Sequence, residues 1–362
     1  IFNKGFIMND ILNLIKELTE AFGPSGFEDD VIEIVRKRTK FIDNQKDSIN
    51  NLYFGLEKID YKKPIVALDC HIDEVGFMIE HINDNGTMSF IPLGGWHIPN
   101  IVSNSVVIKS SSGEFVKGVI GSKPPHFMME EDRKKLPILQ DLYIDVGTRK
   151  KEETQKVFGI SVGDPVVPDV NFRYDERTKS ICAKAIDNRV GALCIIKILE
   201  YFKNKKLDVN LVGIMSAQEE VGMRGASVAV NKVKPDLIIV FEGSPADDTF
   251  YFGERTHGAI GNGTQLRIID GGMITNPRLS RYTIDIAKKN KIAHQIIVRE
   301  KGSTNGAVYH KSNLGIPCVV LGIATRYAHS HYCYASYDDI IASLDIAKEL
   351  IKSLNKEKIA NF

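Results

Sequence analysis

At 362 residues, with 43% hydrophobic and 26% charged content, the chain has the make-up of an ordinary globular protein, long enough for one large domain plus a smaller one. Lys and Arg number 47 against 46 Asp and Glu, which excludes the basic footprint of a nucleic-acid or membrane-surface partner. No apolar run approaches a membrane span, no signal peptide opens the chain, and five scattered cysteines without a CxxC pair read as reduced thiols in a cytoplasm.

The segment up to Met8 reads as a short leader, because Met8 directly precedes the first helical pattern. That pattern puts Ile11, Ile15, Leu18 and Phe22 on one face and stops at Gly23-Pro24. Ser25 and Glu28 then stand at capping-box spacing for a second helix. Residues 65–68 form a short, bounded apolar run of the kind found in buried parallel strands. From about Val75 to Asp169 the character changes to short alternating strands, among them 105–109 and 115–120, with turns at Asn85-Gly86 and Ser112-Gly113. This stretch reads as a small β-barrel inserted into the rest. Its Phe77, Met78, Ile79, Phe90 and Ile91 serve either subunit contacts or the barrel's own core. Further on, a helical pattern at 190–202 is followed by apolar runs at 211–215, 237–241 and 318–323, and a last helical stretch carries Ile340, Leu344, Ile351 and Leu354. Strands alternating with helices imply an α/β fold with a mixed, mostly parallel sheet and helices on both faces. The expected division is 1–74 and 170–362 for the α/β domain and 75–169 for the inserted barrel.

Five places carry chemistry. His71-Ile72-Asp73 follows the first apolar strand, Asp187 opens a helix, Glu219-Glu220 follows the run ending at Met215, Glu242 follows Phe241, and His329 follows the run ending near Ile323. In open α/β sheets ligands gather at the carboxyl ends of strands, so these side chains can share one crevice. Each has an ordinary alternative: His71 as a core histidine, Asp187 as a helix cap, the Glu pair and His329 as solvated loop residues. Taken together the alternatives fail, because carboxylates after strongly apolar strands are costly without positive charge between them. Asp73, two residues from His71, can hold the imidazole tautomer. Imidazoles plus several carboxylates suit a pair of divalent ions, zinc or cobalt with manganese as the alternative, with one carboxylate bridging and another free to act as a general base.

The motifs Cys70-His71-Ile72-Asp73-Glu74-Val75-Gly76-Phe77, Lys184-Ala185-Ile186-Asp187-Asn188-Arg189-Val190-Gly191, Gln218-Glu219-Glu220-Val221-Gly222, Asp270-Gly271-Gly272-Met273 and Thr325-Arg326-Tyr327-Ala328-His329-Ser330 together resemble the tetrahedral aminopeptidases of glutamyl, leucyl and lysyl type. The resemblance runs from Met8 to the end. It implies that His71, Asp187 and Glu242 hold one metal ion and that Asp187, Glu220 and His329 hold the other, with Asp187 bridging. Glu219 would be the general base and Asp73 would orient His71. It further implies short peptide substrates, a barrel used for dimerisation, and a homo-oligomer that builds from dimers to a tetrahedral dodecamer.

The chain departs from the family pattern at Asn188, Asn305 and Cys333, where Asp, Asp and Glu are common. Asn305 lies near the site, so either it removes negative charge from the substrate pocket or it holds its own glycine-rich loop. Two other readings accompany the main one: a catalytically weakened family member, kept open by Asn188 and Asn305, and a clan-related carboxypeptidase or deacylase, whose extra domain usually follows the Glu-Glu pair. A glycan hydrolase would need its carboxyl pair free of metal.

Overall fold

The computed structural model of the protein describes residues 2–362, so Ile1 of the segment read as a leader lies outside the described residues. Helix α1 (Phe2–Glu20) begins ahead of Met8, so the helix starts within the segment read as a leader. Ile11, Ile15 and Leu18 are buried there. After Gly23-Pro24 comes α2 (Asp29–Arg38), whose cap position is Glu28, but no side-chain cap bond forms. The expected capping box is therefore absent; Ser25 and Glu28 are occupied elsewhere.

The chain continues through β1 (Asn44–Lys46), β2 (Leu52–Phe54) and β3 (Ile65–His71). It then builds β4 (Gly76–Ile82), β5 (Met88–Leu93), β6 (Ser105–Lys109), β7 (Phe115–Ser122), α3 (Glu130–Arg133), β8 (Leu142–Asp145), α4 (Lys151–Lys156) and β9 (Pro165–Pro168). It returns through β10 (Arg173–Asp175), β11 (Ser180–Ala183), α5 (Ile186–Phe202), β12 (Asn210–Ser216), α6 (Arg224–Val233) and β13 (Leu237–Pro245). The last third holds β14 (Thr264–Ile269), α7 (Pro277–Lys289), β15 (His294–Val298), α8 (Gly306–Tyr309), β16 (Cys318–Thr325), β17 (Cys333–Ser336), α9 (Tyr337–Ser353) and α10 (Lys356–Ala360).

Eight strands form one mixed sheet in the order β1-β2-β12-β3-β13-β16-β14-β15. Its centre, β12-β3-β13-β16, is parallel throughout. Those central strands are apolar on both sides because helices cover both faces. Val66 and Leu68 pack with α1, α5 and α9 on one face, while Ala67, Val212 and Val240 pack with α6 and Tyr309 of α8 on the other. Parallel pairing also brings the carboxyl ends of the four central strands side by side, with Ser216 opposite His71 and Glu242 opposite Gly322.

Strands β4 to β9 close into an antiparallel barrel in the order β4-β5-β8-β7-β6-β9. The two turns read from the sequence join β4 to β5 and β6 to β7. Phe77, Ile79 and Phe90 fill the barrel core, so the reading of these three as subunit contacts is corrected; Met78 is half-buried and Ile91 is exposed. The chain enters the barrel through Glu74, whose carboxylate accepts from Lys184 Nζ at 2.6 and 2.7 Å and from Arg189 Nη2 at 3.2 Å. Burial lowers the Lys184 pKa to about 8, against the attraction of Glu74. All three groups are buried, and each charge needs the others. All five cysteines are buried thiols, and among the described residues no helix is long and apolar enough to cross a membrane.

Candidate metal centre

The sheet delivers the chemical residues to one edge. His71 is the last residue of β3 rather than the third beyond its end, and Glu242 lies within β13, three residues before Pro245. Apolar runs underestimate both strands because a strand continues wherever its backbone ladder does, whatever side chain it carries. Glu219 and Glu220 sit between β12 and α6, and His329 lies between β16 and β17. Asp187 stands at the start of α5, where it and Asn188 have non-helical backbone angles, and it does not cap the helix. Asn188 instead anchors this bend: its amide donates to Phe241 O at 2.8 Å, a bond an ionised Asp could not make. Gly243 lets the bend approach, since a Cβ there would come within 2.5 Å of Asp187 Cα.

The five ligand candidates meet around Asp187. His71 Nε2 lies 3.2 Å from Asp187 Oδ1 and 3.4 Å from Glu242 Oε1. His329 Nε2 lies 3.2 Å from Glu220 Oε2 and 3.6 Å from Asp187 Oδ2. Asp187 thus turns one oxygen to each histidine and belongs to two clusters, His71–Asp187–Glu242 and Asp187–Glu220–His329, each with its donor atoms within 4.8 Å of one another. Glu219 joins a third such grouping with His71 and Glu220, beside the other two.

The electrostatics match cations. Burial raises the pKa of Glu219 well above a free carboxyl's, with Glu242, Glu220 and Asp73 adding to the rise and His71 opposing it. Burial also lifts Glu220, and lifts Glu242 to about 8. Burial works against charge on His71 and His329, yet bonds to the carboxylates win: His71 rises well above the usual imidazole value and His329 reaches about 11. Among the described residues, Glu220 Oε1 and Glu242 Oε2 find no hydrogen-bond partner, and both are buried. Oxygen and imidazole donors with orphaned lone pairs, in a site that penalises unrelieved negative charge, fit divalent cations.

The support around the site was largely invisible in the sequence. Asp73 faces the His71 ring, with His71 Nδ1 3.1 Å from its main-chain oxygen and 3.4 Å from its carboxylate. The same carboxylate accepts from the backbone N–H of Glu219 at 3.0 Å and of Glu220 at 3.2 Å, and from Ser25 Oγ at 2.6 Å. Glu28 accepts from the N–H of Gly26 and of Gln218 and from Asn50 Nδ2. The Ser25/Glu28 pair read as a helix cap therefore braces the Glu219-Glu220 loop. Several non-glycine residues of these loops hold left-handed backbone, with φ of 51° at Ala185, 55° at Gln218, 58° at Tyr327 and 59° at His329. Strain of this kind concentrates at functional sites, and no sequence pattern announces it.

Asn305 is the clearest correction. It is buried beneath the sheet edge, its Nδ2 donating to Asp69 Oδ2 at 2.8 Å and Ser216 Oγ at 2.7 Å, while Tyr309 OH donates to Asp69 Oδ1. Its side chain turns away from solvent and holds a polar network under His71. Burial lifts Asp69 to about 6, with the bonds from Asn305, Tyr309 and Ser216 opposing the rise. Asn305→Asp replaces a donor with a second carboxyl, so one of the pair must keep its proton in the fold. A carboxyl with a raised folded pKa costs stability above that pKa and recovers it as pH falls. We expect a loss of roughly 1–3 kcal/mol at pH 8, shrinking toward pH 5, in denaturant unfolding.

A family model described as M42 glutamyl aminopeptidase matches residues 51–346. The glutamyl aminopeptidase of Lactococcus lactis subsp. cremoris is 34% identical, over 97% of this chain and 98% of its own. Among solved structures, the TET aminopeptidase of Thaumarchaeota archaeon SCGC AB-539-E09 superposes with a TM-score of 0.92 at 32% identity, covering 98% of this chain and 99% of that one. The TET1 peptidase of Pyrococcus horikoshii, described as able to assemble into a tetrahedron or a large octahedral shell, gives 0.85 at 25% identity over 95% and 100%.

Proposed function

Since the chain belongs to the M42 glutamyl aminopeptidase family, we propose that it removes N-terminal residues from short peptides by a two-cation mechanism with Glu219 as general base. The observation that carries this reading is the pair of clusters sharing Asp187, with Glu219 beside both. His71, Asp187 and Glu242 would hold one divalent cation, and Asp187, Glu220 and His329 the other; zinc or cobalt suits the mixed nitrogen and oxygen donors, and manganese is the alternative. When bound, the cations would polarise the scissile carbonyl and bring the pKa of a water down toward ~7.

The chain's own residues supply the rest. Asp187, through its two oxygens, keeps both clusters in register. Asp73 holds His71 by its Nδ1 side, leaving Nε2 toward the site. Glu219 takes a proton from the attacking water and returns it to the leaving amine. Its main-chain N–H is tied to Asp73, so the carboxylate starts from a fixed point. The free α-amino group of a peptide would be recognised by the polar groups that converge at the centre.

Residues 1–74 and 170–362 would form the catalytic domain and 75–169 a dimerisation domain. By analogy with the TET1 peptidase, dimers would build toward a tetrahedral dodecamer in the cytoplasm. Position of the barrel between His71 and Asp187 supports the aminopeptidase branch over carboxypeptidases and deacylases.

Aminoacyl-nitroanilides offered with zinc, cobalt or manganese should be cleaved, chelation should abolish turnover, and N-acetylated counterparts should resist. Equal cleavage of the blocked substrates would contradict an aminopeptidase; no turnover with any of the three ions would favour the weakened member.

A further inference from the structure

The two histidines of the centre are held by different means. His71 has Asp73, two residues along the same chain segment. His329 has a partner from the barrel: its Nδ1–H donates to Gly95 O at 2.8 Å, across 234 positions of sequence. With Nδ1 engaged in this bond, Nε2 is the ring atom turned to Glu220 and Asp187.

Gly94 and Gly95 offer no side chain to fix this carbonyl, so the neighbouring residue must. Trp96, the only tryptophan in the chain, is built for it. Its Nε1–H donates to Gly76 O at 3.0 Å, and its ring stacks on the buried Phe77 with centroids 4.6 Å apart and planes 24° apart. Its ring also meets the buried ring of His331, at 5.6 Å, in the loop that carries His329. The Gly94-Gly95 turn is pressed tightly against the centre. A Cβ on Gly95 would lie 3.3 Å from His329 Nδ1, and one on Gly94 would lie 3.2 Å from Glu220 Cβ.

We infer that Trp96 is a positioning residue of the metal centre, which locks the Gly95 carbonyl onto His329 and so sets the affinity of the cation on the His329 side. The inference rests on the two-cation reading above. Outer partners of ligating histidines typically govern about 10–100-fold in metal affinity. A residue that only filled the barrel core would leave that affinity alone.

Calorimetric titration of Co²⁺ into chelator-stripped protein separates these roles. Wild type should show two binding events. Trp96→Ala should weaken one of them by about 10–100-fold and leave the other in place. Trp96→Phe, which keeps the ring but loses the bond to Gly76, should fall between. Gly95→Ala, which pushes on His329 without touching the barrel core, should weaken the same event and serves if Trp96→Ala does not fold. Ile120→Ala, which opens the barrel core on β7, a strand paired with neither β4 nor β5, should change neither event. Two wild-type events that Trp96→Ala and Gly95→Ala leave unshifted would overturn the inference alone, as would an equal loss in Ile120→Ala. A single wild-type event would overturn the two-cation reading and this inference with it.

Discussion

Glu219→Gln should lower kcat by roughly 10²–10⁴-fold, the usual consequence of losing a general base, while metal content stays near that of the wild type. The amide matches the carboxylate in shape but cannot take a proton. The backbone of residue 219 remains tied to Asp73, so the loop should hold. Glu220→Gln provides the contrast. Its Oε2 faces His329 at 3.2 Å and its Oε1 is buried without a partner, so weakened metal binding is expected first and lost turnover as its consequence. Glu219 is itself close enough to His71 and Glu220 to act as a ligand. A Glu219→Gln protein that loses an ion while Glu220→Gln keeps both would reverse the assignment. Rate and metal content measured on the same preparations decide it.

Asp187→Ala should have the larger effect, because one side chain serves both clusters. Its two oxygens lie 3.2 Å from His71 Nε2 and 3.6 Å from His329 Nε2. Removing it should empty both cation positions together and drop turnover by more than the roughly 10²–10⁴-fold of base loss. Binding must also compete with protons. Burial lifts Glu219, Glu220 and Glu242, the last to about 8, so these carboxyls release protons as cations enter. Cation affinity should therefore rise with pH through about 8 and continue to rise beyond it, because His329, lifted to about 11, must also release a proton to bind. Loss of one ion with the second retained in Asp187→Ala would show that the aspartate does not bridge. Dialysis against a fixed free-metal concentration at several pH values measures both effects.

Sequence carries what is local in a fold, and this protein shows where that stops. Residues 65–68 and 237–241 were readable as strands because each apolar run is bounded, and parallel pairing then brought His71, Glu220, Glu242 and His329 to one edge. The strand ends were misjudged by the residues that matter most, since His71 and Glu242 are polar yet remain in the ladder. Ser25 and Glu28 have capping-box spacing, but their partners Asp73 and Gln218 lie 48 and 190 positions away, and those bonds prevail. A local signal cannot reveal that competition. Asn305 shows the same limit: its lack of charge was legible, while Asp69, 236 positions earlier, decided where it points. Phe77 and Phe90 had two uses open, and closure of the barrel selected the inward one. The Gly95 carbonyl on His329 had no sequence signal at all, because a main-chain acceptor can belong to any residue.

A pair of cations at Asp187 is tested most directly by elemental analysis. Protein reconstituted with saturating zinc or cobalt, then freed of excess ion, should retain two ions per chain. Retention of at most one would contradict the shared role of Asp187 and the mechanism built on it.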